Sequence, residues 1–144
     1  AKIFKLMFIK EHKLRVRYAE TDQMGYVYYG NYATYYEVGR VEALRSVGYS
    51  YREMEESGVM MPVLENHSKF FLPGRYDEHL TIRTSIKEMP GVRIRFHYEI
   101  FNEKEELIHV GETLLTFLKT DTHRPCRPPA RFIDLLKPYF DSKE

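Results

Sequence analysis

Between residues 18 and 32 the chain reads Tyr18-Ala-Glu-Thr-Asp22-Gln-Met-Gly25-Tyr-Val-Tyr-Tyr29-Gly-Asn-Tyr32, which places a carboxylate in a turn between a strand and a long helix. Read locally, Asp22 is an Asx-turn residue, and Gly25 accepts the backbone angle that other residues resist. On local grounds alone that is the preferred reading. Few other residues suggest chemistry. The chain has no G-x-S-x-G, no Gly-rich phosphate loop, no H-E-x-x-H and no C-x-x-C. The histidines, at 12, 67, 79, 97, 109 and 123, lack metal-ligand spacing, so no metal site is expected. His97 and His109 alternate out of their strands, as surface or core-edge residues do. The single cysteine, Cys126, has arginines nearby that could lower its pKa, but it lies in a Pro-rich connector and reads as a bystander.

The elements that must position Asp22 follow from periodicity. Lys13 to Tyr18 alternates, with Leu14, Val16 and Tyr18 on one face, as in a half-buried strand. From about Tyr28 to Val47, Tyr32, Tyr35, Tyr36, Gly39, Ala43 and Val47 recur at helical steps, while Glu37, Arg40, Glu42 and Arg45 fall mostly elsewhere. Asn31 is the N-cap candidate and Gly48 the stop. The small residues Ala33, Gly39 and Ala43 predict a helix packed tightly against a sheet. Ser50-Tyr-Arg-Glu53 has the form of a capping box opening a short helix to about Ser57, ended by Gly58. Strands are expected over Met61 to Phe71, Leu80 to Ile86, Val92 to Ile100 and Leu107 to Leu118, with turns at Pro90-Gly91 and at Asn102 to Glu106. A last amphipathic helix spans about 130–140. Short connections imply antiparallel neighbours, and one long helix can cover one face of the sheet, so the class is α+β.

The 144 residues fit a single domain, with a core over about 10–120. Hydrophobic residues make up 43% of the chain, including 12 Tyr and 9 Phe, enough for a core that needs no disulfide. A mean hydropathy of −0.50 and 30% charged residues argue for a soluble protein, and no run suffices for a membrane span. The opening Ala1 to Met7 is too short and too interrupted for a signal peptide. Its lack of an initiator Met suggests a trimmed or processed end, with Met7 a candidate natural start. One cysteine suits a reducing cytoplasm. A net charge of +1 gives no broad basic field, which excludes a nucleic-acid module despite the many tyrosines.

The motif T-D-x-x-G-x-V, followed by an aromatic and then Asn31-Tyr32 opening a helix, resembles the signature of the 4-hydroxybenzoyl-CoA thioesterase family. It is closest to the bacterial Tol-Pal-associated short-chain acyl-CoA thioesterases. The stretches Tyr32 to Leu44, Ser50 to Met54, Gly58-Val-Met-Met-Pro-Val63 and Asp77 to Ile82 match the family's layout, so the resemblance covers about Lys13 to Lys119. It implies the hot-dog fold, an antiparallel five-stranded sheet wrapped around a long central helix, with two subunits pairing to form the sites. It implies hydrolysis of a short-chain or aromatic acyl-CoA, without cofactor or metal, by a cytoplasmic homodimer or homotetramer, with peripheral association with envelope complexes left open. Asp22 stands at the catalytic carboxylate, as nucleophile or general base. An ionised carboxylate is acceptor-only and can act either way without a partner His. Tyr29 stands where the family's backbone oxyanion donor lies, at the start of the central helix. Close relatives carry His at that position, so Tyr29 is singled out for its backbone. Some relatives bind the CoA phosphates with a basic run after the third strand. The matching stretch Met89 to Arg93 keeps only Arg93, which with Arg95 and Lys69 forms the candidate set for the nucleotide end, although solvated strand charges are the preferred reading of all three. Tyr26, Tyr28 and Met24 are candidates for the acyl pocket, though core packing explains them equally well.

Two rivals remain. The thioester donor could be an acyl carrier protein, or the chain could bind acyl-CoA without catalysis. A hot-dog dehydratase fits less well, because there is no upstream Asp-x-x-x-x-His.

Overall fold

The computed structural model describes residues 6–141, so Ala1 to Lys5 of the opening segment lie outside the described residues. Strand β1 (Phe8–Arg15) leads through a 3-10 turn (Tyr18–Glu20) and the Asp22 loop to a second 3-10 turn (Tyr29–Asn31) and helix α1 (Tyr32–Arg45). Helix α2 (Tyr51–Glu56) and strands β2 (Val59–Met60), β3 (Val63–Phe70), β4 (His79–Ile86), β5 (Arg93–Phe101), β6 (Leu107–Thr116) and β7 (Leu118–Lys119) follow, and α3 (Ala130–Phe140) closes the domain. The main sheet has the order β1-β4-β5-β6-β3, antiparallel throughout, and β2 pairs with β7 beside it. This is the five-stranded α+β arrangement that the sequence implied.

One face of the sheet is dry. Leu80, Ile82, Ile86, Ile94, Phe96, Tyr98 and Ile100 alternate inward and meet Tyr35, Tyr36, Ala43 and Leu44 of α1. A Cβ built on Gly39 would lie 2.6 Å from Thr84 Oγ1 and 3.1 Å from Ile82 Cγ2, so the small residue lets helix and sheet approach as expected. The other face is polar, as one face of an antiparallel sheet can be. There Arg83 bridges Glu11 and Glu99, and Arg95 pairs with Glu112. Helix α3 covers the side, where Phe132 packs on Tyr49 and Phe117.

Several expectations are corrected. Tyr18 is 79% exposed, because the first strand ends at Arg15 and the chain turns once Glu20 accepts the Arg17 N–H. Asn31 does not cap: it has helical φ/ψ, and its side chain reaches Glu20 O at 3.4 Å. The capping box is half formed, since Ser50 accepts from Glu53 N–H while the Glu53 carboxylate pairs with Arg131. The strand expected from Met61 begins only after Pro62, as β3 paired with β6, and the two residues before Met61 form a separate short strand, β2, paired with β7. Arg40 is buried, its guanidinium held by the hydroxyls of Tyr51, Tyr98 and Thr113. Most instructive is His109, which is fully buried. Ile100 pairs with His109 but Phe101 with Leu107, so Ile108 is an extra residue. A one-residue shift moves the following side chains to the opposite face, and here it sends His109 inward.

Candidate active site

The Asp22 loop is stitched down on two sides. Its own backbone closes with Asp22 N–H donating to Tyr26 O (2.9 Å) and Gly25 N–H to Asp22 O (3.0 Å). Gly25 takes φ +77°, a region in which a side chain is disfavoured. On one side Val27 N–H donates to Gly74 O (2.8 Å) and Tyr76 N–H to Gly25 O (3.1 Å); on the other Tyr28 N–H donates to Glu20 O (2.9 Å). The loop therefore holds one position relative to the start of β4 and the entry to α1.

Within it, Asp22 Oδ1 accepts from the N–H groups of Met24 (2.9 Å) and Tyr26 (3.2 Å). The local Asx-turn reading is thus correct for this oxygen. Among the described residues no hydrogen bond reaches Oδ2, and Asp22 is only half-buried. One carboxylate oxygen is pinned and the other is available to a thioester carbon or to a water.

Tyr29 begins the 3-10 turn that runs into α1. The first N–H groups of a helix lack intrahelical acceptors, and the positive end of the helix dipole lies there. Together they suit the negative oxygen of a tetrahedral intermediate. The Tyr29 side chain is 69% exposed and packs on the Tyr28 ring at 4.6 Å, so it is the backbone that has a fixed direction. Hydrogen bonding to Tyr29 holds the Tyr28 phenol above its usual range. Tyr26 lies under the Arg75 guanidinium, 5.0 Å from the ring centre, and is half-buried. Tyr18 and Tyr76 make an edge contact at 5.7 Å next to the loop.

Lys69 and Arg93 lie elsewhere within the protomer. Both belong to the polar face of the sheet. Lys69 lines a groove of about 510 Å³ with His67, Lys87 and Glu112, and Arg93 an adjoining one of about 460 Å³ with Met89, Arg95 and Lys87. Arg93 opens β5, whereas the Asp22 loop is tied to the chain entering β4, near the far end of β5. At about 3.3 Å per residue, nine residues of strand separate the two ends by about 25 Å.

Sequence reasoning passed over two groups. The first is Glu20, buried two residues before Asp22. Burial alone would raise its pKa, but hydrogen bonds from Arg17 and Tyr35, with the Arg17 charge, together hold it below the usual carboxylate value. The Glu-Thr-Asp spacing signals nothing of this, since the partner Tyr35 lies on the helix. The second is a buried cluster around His109. Its ring stacks on Tyr32 at 4.0 Å, meets the Phe70 edge at 4.8 Å and hydrogen-bonds the Tyr36 hydroxyl, which also bonds Ser68 Oγ. Burial pushes the imidazole down to about 4.

Among the described residues, no three His, Cys, Asp or Glu side chains gather as metal ligands would. No helix among them is long and apolar enough to cross a membrane.

Residues 16–136 match the family model described as the thioesterase-like superfamily. The chain is 38% identical over 101 residues to YneP of Bacillus subtilis, covering 70% of this chain and 73% of that one. It is 32% identical over 102 residues to the acyl-CoA thioester hydrolase YbgC of Escherichia coli, covering 71% and 76%. Among solved structures, DHNA-CoA thioesterase from Staphylococcus aureus superposes with a TM-score of 0.79 at 39% identity, covering 83% of this chain and 80% of that one.

Proposed function

Because the chain belongs to the thioesterase-like superfamily and is an acyl-CoA thioester hydrolase of the hot-dog fold, we propose that Asp22 is its catalytic carboxylate and the Tyr29 N–H its oxyanion donor. The observation that carries this reading is the asymmetry of Asp22, with Oδ1 tied to two backbone N–H groups and no hydrogen bond to Oδ2 among the described residues. Oδ2 has two routes. As a base it takes a proton from water, the hydroxide adds to the thioester carbon, and the tetrahedral intermediate expels the CoA thiolate. As a nucleophile it adds to that carbon itself, releases the thiolate and leaves a mixed anhydride that water then opens. Both routes place negative charge on the former carbonyl oxygen, where the Tyr29 N–H acts.

The substrate is a short-chain or aromatic acyl-CoA. The rings of Tyr26 and Tyr28 within the loop, with Tyr18 and Tyr76 beside it, support this choice. The functional unit is a dimer paired through β3. All eight residues of that edge strand are exposed, among them Val63, Leu64 and Phe70, with Phe71 and Leu72 following. An unpaired edge of that length invites another strand. A two-fold pairing runs the strands antiparallel and sets the partner's Val63 end beside this protomer's Phe70 end. Val63 and Ile94 both register with Leu115, so the partner's Arg93 end comes toward this protomer's Asp22 end. The 25 Å separation within one chain then ceases to matter, and Arg93 and Lys69 remain the candidates for the CoA phosphates. A homotetramer of such dimers is compatible with the same edge.

Thiol release from acetyl-, butyryl-, hexanoyl-, palmitoyl-, benzoyl- and phenylacetyl-CoA by wild type and Asp22→Asn tests the reading. Asn keeps the Oδ1 contacts and removes the charge, so a folded variant slowed by roughly 100-fold or more is expected. Equal rates would remove Asp22 from the mechanism. Absence of turnover in both would move the substrate to an acyl carrier protein or the role to binding.

A further inference from the structure

Glu20 ties the segment just before Asp22 to the residues that lead into and begin α1. Its Oε1 accepts from Arg17 N–H (2.8 Å) and from the Tyr35 hydroxyl (3.1 Å). Its Oε2 accepts from Arg17 Nε (3.2 Å) and Nη2 (3.0 Å). Its carbonyl accepts from Tyr28 N–H (2.9 Å) and from Asn31 Nδ2 (3.4 Å), and its own N–H donates to Arg17 O (3.0 Å). Glu20 is 8% exposed and Tyr35 1%. Glu20 thus bonds both Asn31, through its carbonyl, and Tyr35, through its carboxylate, and the three form one knot at the entry to α1.

The consequence is geometric. Asp22 lies two residues after Glu20, and Tyr29 follows the residue that donates to the Glu20 carbonyl. A displacement of Glu20 therefore moves the carboxylate through the chain and the oxyanion donor through the Tyr28 bond. The side chain of Glu20 is committed on both oxygens, whereas Asp22 keeps one oxygen open. We propose that Glu20 is a positioning residue for thioester hydrolysis, clamping the Asp22 loop and the start of the central helix to Tyr35 so that carboxylate and oxyanion donor keep a fixed separation. This rests on the reading of Asp22 and Tyr29 given above. Near-attack geometry is steep: a misplacement of about 1 Å can cost on the order of 100-fold in rate. The clamp should therefore act on kcat and leave the binding of CoA, which falls to the Arg93 end of the partner subunit, largely alone.

Glu20→Gln preserves shape but turns an amide N–H₂ toward Arg17 or Tyr35. Tyr35→Phe removes only the hydroxyl from the knot. The expected result is a fall in kcat of about 10- to 100-fold for Glu20→Gln and about 3- to 10-fold for Tyr35→Phe, with KM within about threefold of wild type in both. Because the two groups share a bond, the double variant should lose little more than Glu20→Gln alone. Phe132→Leu, remote in α3, supplies the control for stability: it lowers Tm without touching the knot. Two results overturn the proposal. One is wild-type kcat in folded Glu20→Gln or, where that variant does not fold, in Tyr35→Phe. The other is a kcat loss that Phe132→Leu reproduces at an equal drop in Tm. Asp22→Asn belongs in the same series. Full activity there would overturn the assignment of Asp22, and with it the group Glu20 is held to position, whereas an inactive Asp22→Asn beside a normal Glu20→Gln overturns the clamp alone.

Discussion

A pH titration of stability should isolate one side chain, His109. Its ring is fully buried between Tyr32 and Phe70, with Nε2 bonded to the Tyr36 hydroxyl and Nδ1 without a hydrogen-bond partner. Desolvation disfavours the imidazolium and pushes the folded-state pKa from 6.5 down to about 4. The unfolded chain takes up the proton near 6.5, the folded chain only near 4. The unfolded state therefore binds more protons between those values, and stability falls as pH drops through that window, levelling off below it. At 1.36 kcal/mol for each pH unit, the gap amounts to roughly 3 kcal/mol, enough to matter in a domain whose total stability is about 5–15 kcal/mol. His109→Phe keeps a ring to stack on Tyr32 and removes the titration, while Tyr36 keeps Ser68 as a partner. Urea unfolding of both proteins at pH 8, 7, 6, 5 and 4, at one protein concentration, yields the stability difference at each pH. Other titrating groups cancel in that difference. It should be flat above pH 7 and swing by about 3 kcal/mol toward His109→Phe by pH 4. A difference that moves by less than about 1 kcal/mol over the range would falsify the assignment of His109 as a buried neutral imidazole.

The same cluster predicts intolerance at Gly111. A Cβ there would lie 2.1 Å from Tyr36 Oη and 2.4 Å from Cζ, and Tyr36 is itself stacked on Tyr98, so Gly111→Ala should cost about 1–3 kcal/mol in urea melts, and an unchanged midpoint would refute the tight packing. The β3 edge predicts that Leu64→Asp shifts the sedimentation profile to smaller species and lowers turnover although the Asp22 loop is untouched. A fully active monomer would show that one chain builds a complete site.

The elements around Asp22 were legible because their causes are local. An Asx turn is closed by Gly25, and α1 sets Gly39 and Ala43, four residues apart, in the buried face, whereas Ala33 is exposed and takes no part in that packing. What escaped was set at a distance. The inward turn of His109 depends on one extra residue, Ile108, against the neighbouring strand, and alternation read along β6 alone cannot register a bulge. Arg40 reads as a surface charge until Tyr51, Tyr98 and Thr113, from α2, β5 and β6, turn their hydroxyls toward it. Lys69 and Arg93 were legible as cations on strands, but their distance from Asp22 follows from strand order and end, which a list of charges does not contain.

Glu20 and Asp22 make the same point within three residues. The two carboxylates differ by one methylene and share a turn, yet one faces Tyr35 and has both oxygens occupied, while the other faces the loop's own backbone and keeps Oδ2 open. Environment separates their roles, and the separation is economical because both are held by one segment. On the assignments proposed above, the residue that fixes the geometry is two positions from the residue that uses it, so little chain lies between them to flex. On that argument the acidic pair is one device, and rate should be more sensitive to the Glu20–Tyr35 bond than to any substitution of the exposed rings of Tyr28 and Tyr29 that leaves the backbone in place.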